Sequence, residues 1–139
     1  MITYKNEIAV DDYLQLRDAV GWRNLPREQA RKALAGSVYM LVAYDNEKVV
    51  GMARVVGDGV YMSLIVDVMV HPEYQKMKIG SYIMNNIMNT LESSVKGDDI
   101  MMINLMSVPG KETFYEQFGL AARPNKTMGP GMCRWINVK

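Results

Sequence analysis

The segment that most narrows the fold runs from Leu64 to Val95. Leu64-Ile65-Val66-Asp67-Val68-Met69-Val70 is apolar at every position but one, the pattern of a central strand covered on both faces. Pro72 ends it. Ile79, Ile83, Ile87, Leu91 and Val95 then recur at intervals of four, with Met84 and Met88 beside them, so a helix with one apolar stripe follows. A buried strand that opens through a short polar loop onto an amphipathic helix puts the chain in the α/β class.

The flanking sequence extends this unit in both directions. A short strand is expected near Ile2 to Ile8, and then a helix capped by Asp11 or Asp12 that runs to about Val20 and ends at Gly21. Pro26 suits the first turn of a second helix, Arg27 to Leu34, which Gly36 stops. Val38 to Tyr44 and Lys48 to Val56 read as strands about the turn Asp45-Asn46-Glu47. Gly57-Asp58-Gly59 is a hairpin signal leading into Tyr61 to Val70. Beyond the long helix come a strand at Ile100 to Met106, a short helix at Lys111 to Phe118 and a final strand at Met132 to Val138, after a loop of Pro124 to Gly131. The order is β-α-α-β-β-β-α-β-α-β: a mixed sheet, mostly antiparallel early, with a helical crossover later.

Composition removes several classes of function. One domain spanning residues 1–139 suffices for this length, and 49% hydrophobic against 22% charged residues is the balance of a folded globule. Lys plus Arg is 16 and Asp plus Glu is 15, a net +1, which gives no general surface for nucleic acid. Cys133 is the single cysteine, so an internal disulfide framework or a multi-cysteine zinc site is excluded and no metal is expected. No apolar run reaches membrane-spanning length, and the first residues lack the apolar core of a signal peptide, so the expected location is cytoplasmic.

The chemistry concentrates where the buried strand meets the long helix. The first turn of a helix carries unpaired N–H groups and the positive end of the dipole, which suits a phosphate. Gly80 allows close approach of an anion, and Lys76 and Lys78 add charge nearby. Any strand–loop–helix has such an end, so this alone does not identify a ligand.

The sequence here resembles the GNAT acetyltransferases. Their coenzyme motif follows a hydrophobic strand ending in Val-x-Pro-x-Tyr, then Gln or Arg, then x-x-Gly-x-Gly or Ala. This chain reads Val70-His71-Pro72-Glu73-Tyr74-Gln75-Lys76-Met77-Lys78-Ile79-Gly80. It departs at Lys78, where the family usually has glycine. A second landmark, Phe-Tyr-x-x-x-Gly-Phe or Leu, appears as Phe114-Tyr115-Glu116-Gln117-Phe118-Gly119-Leu120. The resemblance implies acetyl-coenzyme A (acetyl-CoA) as co-substrate. Main-chain groups of Val68, Met69 and Val70 would pair with the pantetheine arm. The backbone from Gln75 through Lys76, Met77, Lys78, Ile79 and Gly80 to Ser81 would hold the pyrophosphate. A lysine at position 78 is expected either to take a negative φ or to tolerate strain.

Acetyl transfer to an amine needs a neutral amine, a polarised carbonyl and a proton for the departing thiolate. Asp67, the single charge in its strand, is a candidate base; its alternative is a structural carboxylate accepting hydrogen bonds. The resemblance assigns the general acid to Tyr115, whose alternative is packing beside Phe114 and Phe118. Trp22, Asn24 and Tyr61 sit in connections that would border an acceptor cleft, where core packing or a plain surface role competes with substrate contact. His71 reads as a solvated surface residue, Cys133 as a small buried residue of the final strand, and Ser107 as a turn residue rather than a ligand of the coenzyme arm. The expected activity is N-acetyl transfer to a small primary amine by direct attack. Acetylation of a protein lysine or N-terminus, and a non-catalytic coenzyme-binding or interaction module on the same fold, are the alternatives. An exposed edge strand leaves room for a homodimer.

Overall fold

The computed structural model describes residues 1–138. In order, the elements are β1 (Ile2–Lys5), α1 (Val10–Ala19), α2 (Arg27–Ala35), β2 (Tyr39–Asp45), β3 (Lys48–Gly57), β4 (Met62–Val70), a 3-10 turn (Pro72–Tyr74), α3 (Ile79–Ser94), β5 (Met102–Leu105) and α4 (Glu112–Glu116). The strands form one sheet in the order β1-β2-β3-β4-β5. The first three pairings are antiparallel, and β5 joins β4 in parallel after the α3 crossover. This is the expected mixed α/β architecture.

The chain divides into two units, the first ending at Leu105. In the first unit helices cover both faces of the sheet. Tyr13, Leu16, Ala30 and Leu34 of α1 and α2 pack with Val42, Met52 and Met69 on one face. On the other, Gly51 of β3 faces α3: a Cβ there would meet Ile79 Cγ2 at 3.1 Å and Met69 O at 3.2 Å. Glycine at 51 therefore sets how closely the start of α3 approaches β3. The β3–β4 connection needs glycine for a steric reason too, since a Cβ on Gly57 would lie 2.0 Å from Met62 O. Asp58 finishes that turn, its Oδ1 accepting the amides of Val60, Tyr61 and Met62. These amides hold the Asp58 carboxyl below its ordinary pKa.

Several local expectations are corrected. α1 starts from Ala9 with no side-chain cap, and Asp11 and Asp12 lie in its first turn, where they favour the dipole without capping. In the second unit, no strand forms at 132–138 among the described residues. Met132, Trp135 and Ile136 are largely exposed, and Cys133 is exposed rather than buried in a strand. A β-prone sequence becomes a strand only where a partner edge takes up its hydrogen bonds, and this segment has no ladder partner. α4 is shorter than the segment read for it, and Gly119, at φ 86, turns the chain away soon after.

Candidate functional site

The pairing of β4 changes partway along its length. Met62 to Ile65 pair with Met102 to Leu105 of β5, and there β5 ends. Val66 to Val70 continue β4, bonded to β3 on one side, with no ladder partner on the other among the described residues. An unpaired strand edge offers N–H and C=O groups to any extended chain that can lie beside it. Val68, Met69 and Val70 belong to that free stretch. Gln75 Nε2 approaches the Val70 carbonyl at 3.4 Å.

β4 is also bulged. Arg54 pairs with Val66 and Met52 with Met69, so Asp67 and Val68 together stand opposite Ala53. Simple alternation puts Asp67 on one face with Ile65 and Met69. The bulge breaks that rule: Ile65 pairs with Val55, and Met69 turns to the opposite face with Met52. Asp67 takes the left-handed conformation at φ 55, uncommon for a residue with a Cβ.

The Asp67 side chain shows why. Its Oδ2 accepts from Tyr13 Oη at 2.6 Å and Arg54 Nε at 2.7 Å, and its Oδ1 from Arg17 Nη1 at 3.1 Å. The three charged side chains are about nine-tenths buried. Arg54 also donates to Ala33 O and Ser37 Oγ, and Arg17 to Arg23 O and Tyr13 Oη. Burial and the Asp67 carboxylate both push the Tyr13 phenol above its ordinary pKa, so it stays a donor. The carboxylate is thus committed to three donors, the arrangement of a structural carboxylate rather than of a base reaching for a substrate proton. Sequence reading singled out Asp67 and missed its partners. The spacing of Tyr13 and Arg17, four apart on α1, and of Arg54 and Met52, two apart on β3, shows which residues share a face of each element but not that these faces meet at Asp67.

Past β4, His71 Nδ1 accepts the Glu73 amide and caps the 3-10 turn, a structural use of the lone histidine. Tyr74 donates to Asp45 Oδ2 at 2.6 Å, and Lys48 pairs with Glu73, which fixes this loop to the β2–β3 turn. From there to the first turn of α3, no acceptor takes the backbone amides of residues 75–81 among the described residues. Lys76 and Lys78 both adopt the left-handed conformation, at φ 69 and φ 62, while Met77 between them does not. Such alternation turns successive N–H groups toward one concavity, and concavities of this kind bind anions. Lysine at position 78 therefore occupies the glycine-type conformation of the motif rather than avoiding it. Gln75, Lys76, Met77 and Lys78 are exposed, Ile79 is buried against β3, and Gly80 and Ser81 are half-buried. An unpaired strand edge leading to unpaired amides with two lysines fits a ligand that is extended at one end and carries phosphates at the other.

Other candidates scatter. Trp22 is partly buried against the α1–α2 core, its ring under the Arg17 guanidinium. Asn24 ties the α1–α2 connection through Leu14 O and Asp18 Oδ1. Tyr61 is half-exposed, and its carbonyl accepts from Met102 N. Ser107 bonds its neighbour Val108. In the second unit, Tyr115 of α4 is buried, with Phe114 edge-on to both Tyr115 and Phe118. Burial pushes its phenol above the ordinary value, so it carries its proton through the neutral range.

Comparison with known proteins agrees with this geometry. Residues 36–119 match the family model described as an acetyltransferase (GNAT) domain. The chain is 31% identical over 114 residues to the ycf52-like uncharacterized N-acetyltransferase of Prochlorococcus marinus, covering 79% of this chain and 61% of that protein. It is 29% identical over 119 residues to the ycf52 uncharacterized N-acetyltransferase of Pyropia yezoensis, covering 83% and 66%. The chain thus spans slightly less than two thirds of the length of these relatives. SA2161 of meticillin-resistant Staphylococcus aureus, a crystal structure of a protein of unknown function, superposes with TM-score 0.85 at 28% identity over 97% of this chain and all of that one. SP0256 of Streptococcus pneumoniae, a GNAT-family acetyltransferase, superposes with TM-score 0.77 at 28% identity, over the whole of this chain and 98% of that one. The landmarks at Val70–Gly80 and Phe114–Leu120, the sheet opening beyond Ile65 and these likenesses converge: the chain belongs to the GNAT acetyltransferase family.

Proposed function

We propose that the protein transfers an acetyl group from acetyl-coenzyme A to a small primary amine by direct attack, without a covalent enzyme intermediate. The observation that carries this reading is the continuity between the unpaired edge at Val66–Val70 and the unbonded amides of 75–81. The co-substrate supplies the activated acetyl carbonyl. Val68 to Val70 hold the arm that delivers it, and the amides from Gln75 to Ser81, with Lys76 and Lys78, hold the phosphates. The amine lone pair attacks the thioester carbonyl, the carbon–sulfur bond breaks, and the thiolate takes a proton while the amine nitrogen loses one.

Tyr115 is the proposed acid. Family likeness at Phe114-Tyr115 supports it; the phenol is protonated at neutral pH, as a donor must be, and its burial makes it a weaker rather than a stronger acid. The amine is deprotonated by solvent or a water relay rather than by Asp67, whose carboxylate is held by three donors from α1 and β3. The acceptor is proposed as a small amine; a protein lysine would meet the same requirement of a neutral nitrogen close to the carbonyl, and the acceptor panel separates the two.

The test is acetyl transfer over polyamines, arylalkylamines, aminoglycosides, amino acids and lysine peptides, with calorimetric titration of acetyl-coenzyme A beside it. Turnover of a small amine, a loss of about 10²-fold or more in kcat for Tyr115→Phe, and retained coenzyme affinity in that variant are expected. Turnover of lysine peptides alone moves the acceptor to protein. Coenzyme binding without turnover of any amine makes the chain a binding module. No binding at all rejects the proposal.

A further inference from the structure

We infer that Arg54, Tyr13 and Arg17, acting through Asp67, are positioning residues that hold the β4 bulge in the shape that presents Val68–Val70 to the acyl-bearing arm. The inference rests on the coenzyme reading above and deepens it. Three observations join. The bulge lies immediately before the free edge, with Asp67 and Val68 opposite Ala53. Asp67 has a left-handed φ that a residue with a Cβ keeps only when its surroundings over-determine it. Its carboxylate is held from two elements at once, by Tyr13 and Arg17 of α1 and by Arg54 of β3. Arg54 carries the linkage on to the end of α2 through Ala33 O and to Ser37.

A carboxylate needed only to balance charge could sit in ordinary strand geometry. Here the side chain is pinned by donors on the helix face of the sheet while its backbone is forced out of the extended region. The pinned atoms lie one residue from Val68. Movement of the bulge would shift the main-chain groups at 68–70, leaving in place the amides at 75–78, in the loop tied to the β2–β3 turn through Tyr74 and Glu73, and those at 79–81 in the first turn of α3. The network therefore governs how the carbonyl is presented, while the phosphate cradle supplies most of the affinity. Tyr13 and Arg54 never need to touch a substrate.

Tyr13→Phe and Arg54→Lys test this, since each keeps most of the side-chain volume. Val42→Ala serves as a control that loosens the same core from β2, outside the network. For the two network variants, kcat is expected to fall about tenfold or more, with the dissociation constant for acetyl-coenzyme A within about threefold of the parent. Hydrogen exchange in the coenzyme-free protein is expected to speed up over residues 67–70 and not over 79–94. Val42→Ala is expected to lower the melting temperature and leave kcat within about twofold. If the network variants melt lower, like Val42→Ala, yet keep kcat and the exchange pattern of the parent, the network is only structural and the inference fails while the coenzyme reading stands. A parent protein that binds no acetyl-coenzyme A overturns both.

Discussion

Lys78 shows how a single residue can be legible in kind and surprising in conformation. The motif asks for glycine there, and the chain places a lysine in the left-handed region at φ 62 and ψ 20, at the entrance to α3. Holding an L-residue in that region costs about 1–2 kcal/mol, and a glycine recovers part of it after its extra unfolded-state entropy is counted. Lys78→Gly is therefore expected to raise the urea-unfolding free energy by up to about 1 kcal/mol. It is also expected to weaken coenzyme A binding at low salt more than at high salt, because an ammonium beside the cradle is lost. Equilibrium unfolding and titration at two ionic strengths check this, and a loss of stability would contradict it. Asp67 is the opposite case. Its charge stood out in the sequence, yet its role depends on Tyr13, Arg17 and Arg54, up to 54 residues away, and no local pattern shows that distance closing.

Among the elements, those defined by local signals were readable. The Asp45–Asn46–Glu47 turn, the Gly57–Gly59 hairpin and the four-residue period of α3 are carried by neighbouring residues, and each forms where expected. What required the fold was the geometry between elements: the bulge in β4, the early end of β5 at Leu105, and the fate of 132–138, where a β-prone stretch found no edge. Gly51 controls one such relation. Gly51→Ala would press a methyl against Ile79 Cγ2 and Met69 O and push the start of α3 away from β3. Overpacking of this kind costs about 1–3 kcal/mol. If half of it falls on the cradle, affinity for acetyl-coenzyme A drops by about two- to tenfold. Calorimetry on the folded variant reads this directly, and unchanged affinity would show that the contact does not position the cradle.

For the molecule as a whole, tyrosines set the alkaline limit. Burial raises the phenols of Tyr13, Tyr44 and Tyr115 above the ordinary 10.0, and Tyr74 is raised by its hydrogen bond to Asp45. As pH rises, the unfolded chain loses these protons first, so the folded state binds more of them. The stability they confer is complete below pH 10 and declines as pH climbs from there through the raised folded values. Urea midpoints are expected to fall from about pH 10 upward, and flat midpoints would contradict the burial assigned to these rings. The same whole-molecule view explains why the family was readable while the acceptor was not. The coenzyme landmarks are contiguous in sequence, whereas Trp22 and Asn24 lie in the α1–α2 connection and Tyr61 in the β3–β4 connection, and all three are engaged in local packing or backbone bonds. The most direct test of the central claim is a crystal structure with acetyl-coenzyme A bound. The diphosphate should accept hydrogen bonds from amides within 75–81, and the pantetheine should lie along Val68–Val70 as the next strand beside β4. A coenzyme bound elsewhere, or an edge at 68–70 left unpaired in that complex, would contradict the account.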